Sequence, residues 1–428
     1  MNKKSKQIPD DNKEENKNVS HPIDIAIKNL FDATADFRRA AEIAFPHVAK
    51  KHLADIKLTE KKLKKYNGNL DGDGNYIISE AHDVKDIIQI MNERETLIKS
   101  RIIDLISRSF FIGLFSCFDS FMSELLQGIY SKKPELFNNI KREINVNDLV
   151  NYSNIEEIKK DILDKEIETF RRNSYVQQFN DLEEKFNIKT LKDFPEWPAF
   201  VECTQRRNLI THNDGKVNQQ YISIVKKENY NLPEDIKIGD ELSIEPRYLL
   251  ESIFILNKIA FMLAHTLWRK VLPHEAEIAQ ECMNNSIYHL LTQKRWKMAS
   301  EVGCFALNDM MTKNIDHMKK MIRVINTAIA LKTYKSSLEA NKLLDSVDWS
   351  AAIREFKLAN SVLKDKYTEA AETMIEIGKK GELISELSYY RWPLFETFRG
   401  SIEFQNAFQE IYGKPFKNKL DLGIIEKS

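Results

Sequence analysis

Residues 202–221 read ECTQRRNLITHNDGKVNQQY. The first part of that stretch is a helix approaching its end. Asn213-Asp214-Gly215 behind His212 is a strong stop, because glycine and asparagine tolerate the left-handed backbone that closes a helix. The segment Pro195–Phe200 leads into this helix, and His212 falls on its last turn. Arg206, Arg207 and Asn208 precede His212 on the same helix, and Cys203, one turn before Arg207, reads as core. Beyond the stop, residues 216–247 look irregular, with room for a short hairpin. Helical spacing resumes over Leu249–Trp268, with Leu250, Ile253, Phe254, Phe261, Ala264 and Trp268 on one side.

Working outward toward the N-terminus, a helix is expected from about Glu80 to Tyr130, with room for a break. Its later part sets Ile103, Ile106, Phe110, Gly113, Cys117, Phe121 and Leu125 three and four residues apart, which makes one buried face. Lys132-Lys133-Pro134 closes it, and the more polar residues 135–195 carry only short helical patterns. Earlier, Ile25, Leu30, Phe37, Ala41 and Phe45 form another apolar stripe, which Pro46 is expected to bend or break. Asn67-Gly68 is its stop. Residues 1–21 are polar and lack an apolar run, so they read as a disordered lead rather than a signal peptide. Residues 69–80, NLDGDGNYIISE, place Asn69, Asp71, Asp73 and Glu80 at the ligand positions of a calcium-binding loop. With Asn in the first position, Tyr at the eighth and no second loop, a glycine-rich turn that binds nothing is the preferred reading.

Toward the C-terminus the texture changes. Trp296, Tyr334 and Tyr367 begin the segments RWKMASEVGCFAL, TYKSSLEANKLLD and KYTEAAETMIEIG. An aromatic followed by small residues, recurring at about 34 residues, resembles tetratricopeptide-like helix pairs. A plain helical bundle is the alternative. The tail holds Trp392, Phe395, Phe398, Phe404, Phe408 and Tyr412. A repeat array needs its last apolar face covered, so these read as a terminal cap, with a partner-binding groove as the other option.

Composition narrows the choices. Only 13 glycines and 11 prolines in 428 residues favour long helices over many short strands. The expected fold is all-α in two parts, an extended helical domain at 22–272 with its core at 80–272, and a helical repeat module at 273–428. Lys plus Arg equal Asp plus Glu at 64 each, so bulk charge does not advertise a nucleic-acid binder and any basic surface must be local. Cys117, Cys203, Cys282 and Cys304 lie too far apart for a zinc finger and suit reduced thiols in a cytoplasmic protein. Glu251, Lys258 and His265 interrupt the apolar run of 249–268, so no membrane span is expected.

Function enters through a resemblance. Arg207 and His212, with four residues between them, Asn208 after the arginine, Asn213-Asp214-Gly215 after the histidine and Tyr221 soon after, resemble the HEPN superfamily motif. The upstream helix CFDSFMSELL, with Asp119 amid aromatics, is similar to the family's first core helix. The resemblance covers residues 80–272. It implies a metal-independent endoribonuclease with no cofactor and no metal, a homodimer through this domain, and a role as a bacterial toxin or phage-defence effector. The repeats would then meet an unidentified protein partner or trigger. Some family toxins carry an AMP-accepting tyrosine two residues after the histidine; here Asp214 stands there.

The chemistry can be argued from the residues. Cleavage of RNA without a metal uses the 2′-hydroxyl as nucleophile, and histidine titrates near neutral pH, as a proton carrier must. A guanidinium offsets charge developing on the phosphate. The expected catalytic residues are Arg207, His212, Asn208 and Asp119, with Asp119 orienting Arg207 or His212. Arg206 is expected to steer RNA phosphate. Arg171-Arg172 and Lys132-Lys133 extend a basic track or are ordinary surface pairs. Single-stranded loops such as tRNA anticodon loops suit the substrate role, since the 2′-hydroxyl there is free to align. Residues five apart on a helix are displaced by roughly 140°, so Arg207 and His212 need not converge within one chain, and two chains would complete the cleft. The competing readings are an ion-paired Arg207 with a helix-capping His212, and a non-catalytic RNA-binding or protein-interaction adaptor.

Overall fold

A helix of 43 residues, α1 (Pro22–Lys64), opens the fold. This computed structural model describes residues 21–65, 69–70, 76–77, 84–141, 146–149 and 152–417. The lead 1–20 lies outside the described residues, as do the candidate calcium ligands Asp71, Asp73 and Glu80. His21, counted with the lead above, instead caps α1 through Nδ1 and stacks on Trp268 at 4.0 Å. Pro46 does not break α1. A proline inside a helix costs about 3 kcal/mol, but Ile23, Ile27, Leu30 and Phe31 are buried on one side of it and Thr59 and Leu63 on the other. Each fully buried apolar side chain returns about 1.5–3 kcal/mol, so packing keeps the helix continuous through the proline. Two-residue strands β1 (Asn69–Leu70) and β2 (Tyr76–Ile77) pair antiparallel before α2 (Val84–Ile98), which lies back along the end of α1. Glu60 meets Arg94 and Lys62 meets Glu93 across that pair.

The expected helix from 80 to 130 is two, with a break at 99–101 before α3 (Ile102–Lys132). The fully buried face of α3 runs through Phe111, Leu114, Phe115, Phe118, Met122 and Leu125. It is turned by one position from the predicted stripe, because α3 is packed on two sides. Phe110 meets Phe37 and Phe45 of α1 on one side, and Phe118 meets Tyr175 and Phe200 on the other. Ile103 at its start is exposed.

Residues 135–195 are more ordered than their polarity suggests. A short α4 (Val146–Leu149) precedes α5 (Ile155–Arg172) and α6 (Tyr175–Phe186). Asn154 and Ser174 cap the last two through their side chains. Leu163 and Ile167 bury the apolar face of α5, while α6 buries Tyr175, Phe179 and Leu182. Next come α7 (Trp197–Asn213), α8 (Gln219–Lys227) and α9 (Pro246–Val271). The expected hairpin at 216–247 is absent as such. Its ends pair instead, Val217 N with Asp240 O and Leu242 N with Gly215 O, both at 2.9 Å, with α8 between them.

The C-terminal part stacks helix pairs. After α10 (Ala276–Thr292) come α11 (Trp296–Ala306), α12 (Asp309–Thr312), α13 (His317–Tyr334), α14 (Ser337–Asp345), α15 (Arg354–Leu363), α16 (Tyr367–Ile377), α17 (Glu386–Arg391) and α18 (Ile402–Tyr412). Helix α11 packs on α13, α13 on α14, α15 on α16 and α16 on α18. The crossing of α11 and α13 is so close that a Cβ on Gly303 would run into Thr327 Oγ1. Trp296 and Tyr367 open their helices, but Tyr334 ends α13, because Ser336 two residues later supplies the N-cap for α14. Buried Phe395, Phe398, Phe404 and Phe408 close the end of the stack around Tyr389.

Apart from β1, β2 and two isolated bridges, the regular elements of the described residues are all helical. Helix α9 joins its two parts. It packs on α1, α3 and α7 on one side and on α10 and α11 on the other. One apolar cluster runs from Ile23 to Ile411 across the expected boundary at 272. Lys258 of α9, itself buried, pairs with Glu196 at 2.5 Å and Glu301 at 2.9 Å, tying the start of α7 to α11. Helix α9 is long and apolar enough to cross a membrane, but 78% of its most apolar window is buried inside the protein. All four cysteines are free; Cys203 and Cys282 are buried, Cys117 is half-buried and Cys304 is exposed.

Candidate active site

The last turn of α7 is fixed at both ends. Asp214 and Gly215 adopt left-handed backbone, at φ 49° and 77°, as the Asn-Asp-Gly stop requires. A Cβ on Gly215 would sit 3.1 Å from Arg108 and 3.3 Å from the Leu242 carbonyl, so glycine is needed for space as well as for backbone conformation. The Asp214 carboxylate binds Arg108 at 2.6 Å and Arg101 at 3.3 Å, clamping the end of α7 to the start of α3. Those two guanidiniums hold the Asp214 carboxyl below its ordinary pKa.

About three turns earlier, Glu202 is only 1% exposed. It accepts hydrogen bonds from Arg206 Nε at 2.7 Å, Tyr221 OH at 2.8 Å and Tyr248 OH at 2.5 Å. Arg206 also lies over the Tyr248 ring at 4.0 Å and donates to the Ser243 carbonyl. Arg206 does not line the cleft that Arg207 faces. Adjacent residues on a helix point about 100° apart, and Arg206 takes the inward direction while Arg207 takes the outward one.

Arg207 faces a polar cleft of about 460 Å³ between α3, α5, α6 and α7. Asp119, Arg171, Tyr175, Asn208 and His212 line it with Arg207. Arg207 Nη1 donates to Asn208 Oδ1 at 3.2 Å, and its buried Nε has no hydrogen-bond partner. Neither Arg207 nor His212 forms an ion pair among the described residues, which leaves no support for an ion-paired Arg207. His212 is exposed, one turn after Asn208 on the same face. The 140° offset does not keep Arg207 and His212 apart. Both side chains line the same cleft within one chain.

Asp119 does not hydrogen-bond Arg207 or His212. Its Oδ1 accepts from Tyr175 OH at 2.7 Å, and Arg171 stands 4.0 Å from its other oxygen. Burial pushes the Asp119 carboxyl above its ordinary pKa, against the pull of Tyr175, Arg171 and Arg207. Burial, then the neighbouring Asp119 charge, pushes the Tyr175 hydroxyl up as well. Asp119 and its partner Tyr175 both line the cleft, and Tyr175 is a residue that sequence reasoning missed.

Arg171 and Arg172 stand at the cleft, whereas Lys133 reaches the Val271 carbonyl. Arg171, Arg172 and Arg207 line the cleft together, with Arg172 paired to Glu168 at 2.5 Å and Arg171 4.0 Å from Asp119. The Arg171-Arg172 pair was visible in sequence, but no local motif ties it or Tyr175 to α7. Glu202 was detectable in principle from its i,i+4 spacing to Arg206. A guanidinium without a carboxylate partner, next to an amide and an accessible imidazole, suits a phosphodiester. Comparison with known protein families, with curated proteins and with solved structures finds no match to this chain.

Proposed function

We propose that this protein is a metal-independent endoribonuclease that cleaves single-stranded RNA at the Arg207 cleft. The observation that carries the reading is Arg207 itself, with no carboxylate within ion-pair distance among the described residues and an unpartnered buried Nε, sharing one cleft with Asn208 and His212. In the reaction, His212 takes the proton of the 2′-hydroxyl and the 2′-oxygen attacks phosphorus. The bond from phosphorus to the 5′-oxygen breaks, that oxygen takes a proton from water, and the protonated His212 returns its proton to the hydroxide left behind. Arg207 stabilises the charge on the phosphoryl oxygens, and Asn208 positions Arg207. The products are a 2′,3′-cyclic phosphate and a 5′-hydroxyl. The resemblance of Arg207–His212 and of the Asp119 helix to the HEPN superfamily supports the same reading.

A homodimer that apposes two such clefts belongs to this proposal. Ile102, Ile103 and Leu105 are exposed at the start of α3, beside Arg101, which pairs with Asp214 at the end of α7. A second copy would cover them. The tetratricopeptide-like stack is proposed as the regulator of a toxin or phage-defence enzyme, and its contact with α9 gives it a path to the site. The second reading, a non-catalytic adaptor, draws on an open apolar groove of about 610 Å³ between α10, α13, α15 and α17, lined by Met318, Phe356, Leu387 and Trp392.

The deciding experiment is cleavage of total cellular RNA by the purified full chain in EDTA, beside Arg207→Ala and His212→Ala. Cyclic-phosphate ends, with both variants slower by about a hundredfold or more, support the enzyme. Equal cleavage by all three proteins removes the site. RNA binding without cleavage favours the adaptor.

A further inference from the structure

A second cleft, of about 650 Å³, lies where α1, the start of α9 and the turn from α10 to α11 meet. It shares no lining residue with the Arg207 cleft. Five cations face it, Arg38, Arg39, Lys294, Arg295 and Lys297, against Glu42 and Glu251. Arg38 is matched by Glu42 at 2.8 Å and Lys297 by Glu251 at 2.9 Å. Lys294 reaches Glu396 at 3.0 Å across an exposed pair. Arg39 and Arg295 have no carboxylate within ion-pair distance among the described residues. Arg295 is largely buried, with Nη1 donating to the Phe31 carbonyl at 3.1 Å. Burial, then the adjacent Arg38 charge, holds its guanidinium down to about 10. The cleft thus carries more positive charge than its own carboxylates offset, and an anionic ligand answers that imbalance.

The wall is also aromatic. Trp296 and Tyr334, two of the three aromatics that mark the repeats, line the same cleft. Among the described residues no other ring packs on either, whereas the Phe254 face is covered by Lys297 at 3.7 Å. A flat heterocycle stacks on such a face, while phosphates meet guanidinium and ammonium groups nearby. The turn adds a further point. Lys294 has left-handed backbone, φ 56°, where glycine or asparagine is favoured. A long cationic side chain is held there at a conformational cost, at the edge of the cleft.

We propose that this cleft binds a nucleotide, a single nucleoside carrying two or more phosphates. Its base lies against Trp296 or Tyr334 and its phosphates against Arg39, Lys294 and Arg295. The cavity falls in the size range of small-ligand sites, roughly 300–1,000 Å³. Its walls come from both parts of the chain, so the ligand bridges α1 and α9 to the α10–α11 turn. The inference does not depend on the Arg207 cleft being a nuclease.

The test is calorimetric titration of the full chain with ATP, GTP and CTP, beside inorganic tripolyphosphate and an eight-nucleotide single-stranded RNA. Saturable binding of at least one nucleotide is expected, weakened about tenfold or more by Arg39→Ala, Lys294→Gly and Trp296→Leu. Arg207→Ala should leave it unchanged. Lys294→Gly relaxes the left-handed turn, so its melting temperature should not fall and lost binding there is not unfolding. Absence of saturable nucleotide binding into the millimolar range overturns the proposal. So does tripolyphosphate binding as tightly as every nucleotide, which leaves an anion site without base recognition. Binding of the RNA alone, or loss of binding in Arg207→Ala rather than in the three cleft variants, overturns it too. Failure of RNA cleavage leaves these outcomes untouched.

Discussion

Glu202 in the N-terminal part and Arg323 in the C-terminal part are both charges buried among helices, and they are held in different ways. Glu202 has a full counter-charge in Arg206 and two tyrosine donors. Arg323, completely buried, has only neutral acceptors, the Asn284 side chain at 2.7 Å and the carbonyls of Ala306 and Gln280 at 2.8 and 3.1 Å. Burial, then the charge of Arg269, pulls its guanidinium down to about 10. The two arrangements do different work. The Glu202 network turns Arg206 inward and so leaves Arg207, Asn208 and His212 on the outward face of α7. The Arg323 contacts pin α10, α11 and α13 together, mostly through backbone carbonyls, with Asn284 also lining the open groove beside them. A helix bundle that exposes a site needs an internal anchor to fix its rotation; a stack of helix pairs needs only its crossings fixed.

The sharpest way to break the comparison is Glu202→Ala. It strands Arg206 in the interior and removes the partner of two buried hydroxyls, for a loss of about 3–5 kcal/mol, read from urea unfolding. RNA cleavage should fall as well. Arg323→Met removes a charge but replaces it with an apolar chain that fills much of the volume. Its cost should be smaller, about 2–3 kcal/mol from acceptors left without donors, and cleavage per folded molecule should be unchanged. An equal loss of cleavage in both variants would mean that α7 has no private anchor.

The same contrast explains what could be read in advance. The end of α7 was legible because Asn213-Asp214-Gly215 is a local signal, and local backbone preferences decide helix ends. The inward turn of Arg206 was not, because two adjacent arginines are distinguished only by what packs beside them, here Tyr248 and Ser243 from the far side of α8. Tyr175 was missed as a site residue for a related reason: it reaches the cleft through tertiary packing of a polar stretch that has no motif. Pro46 misled because a proline's local cost says nothing about the burial on either side of it. The repeat spacing located the helix starts at Trp296 and Tyr367 and missed at Tyr334, where Ser336, a stronger cap, shifts the start by three residues.

The seam between the parts gives a prediction in pH. His265 on α9 is fully buried, both ring nitrogens lack partners, and it lies between Phe261 and Trp268. Burial, then the charge of Arg323, lowers its pKa to about 3. The imidazole is therefore neutral in the folded protein down to low pH, while the unfolded chain takes up its proton below about 6.5. Stability from this group is complete above about 6.5 and is lost as pH falls toward 3. At pH 5 the loss is on the order of 2 kcal/mol. His265→Leu should flatten the unfolding free energy in that window relative to wild type. If both proteins lose stability in parallel between pH 6.5 and 5, the histidine is hydrated in solution and the seam is looser than its packing indicates.

The smallest expected effect tests whether Asp119 belongs to the cleft wall or to the chemistry. Tyr175→Phe deletes one hydrogen bond to Asp119 and keeps the ring that packs on Phe118 and Phe200. Stability should fall by about 1 kcal/mol. The Asp119 carboxylate then loses a donor that favours its charged form, so its pKa should rise further above the ordinary carboxylate value. If Asp119 only supports the wall, RNA cleavage stays within a few-fold of wild type and its pH profile keeps its shape. If instead the acidic limb of the profile moves to higher pH in Tyr175→Phe, the ionised Asp119 acts on Arg207 during the reaction. The 2.7 Å bond from Tyr175 is then what keeps that carboxylate charged, and α6 contributes to catalysis through a residue that never meets the substrate.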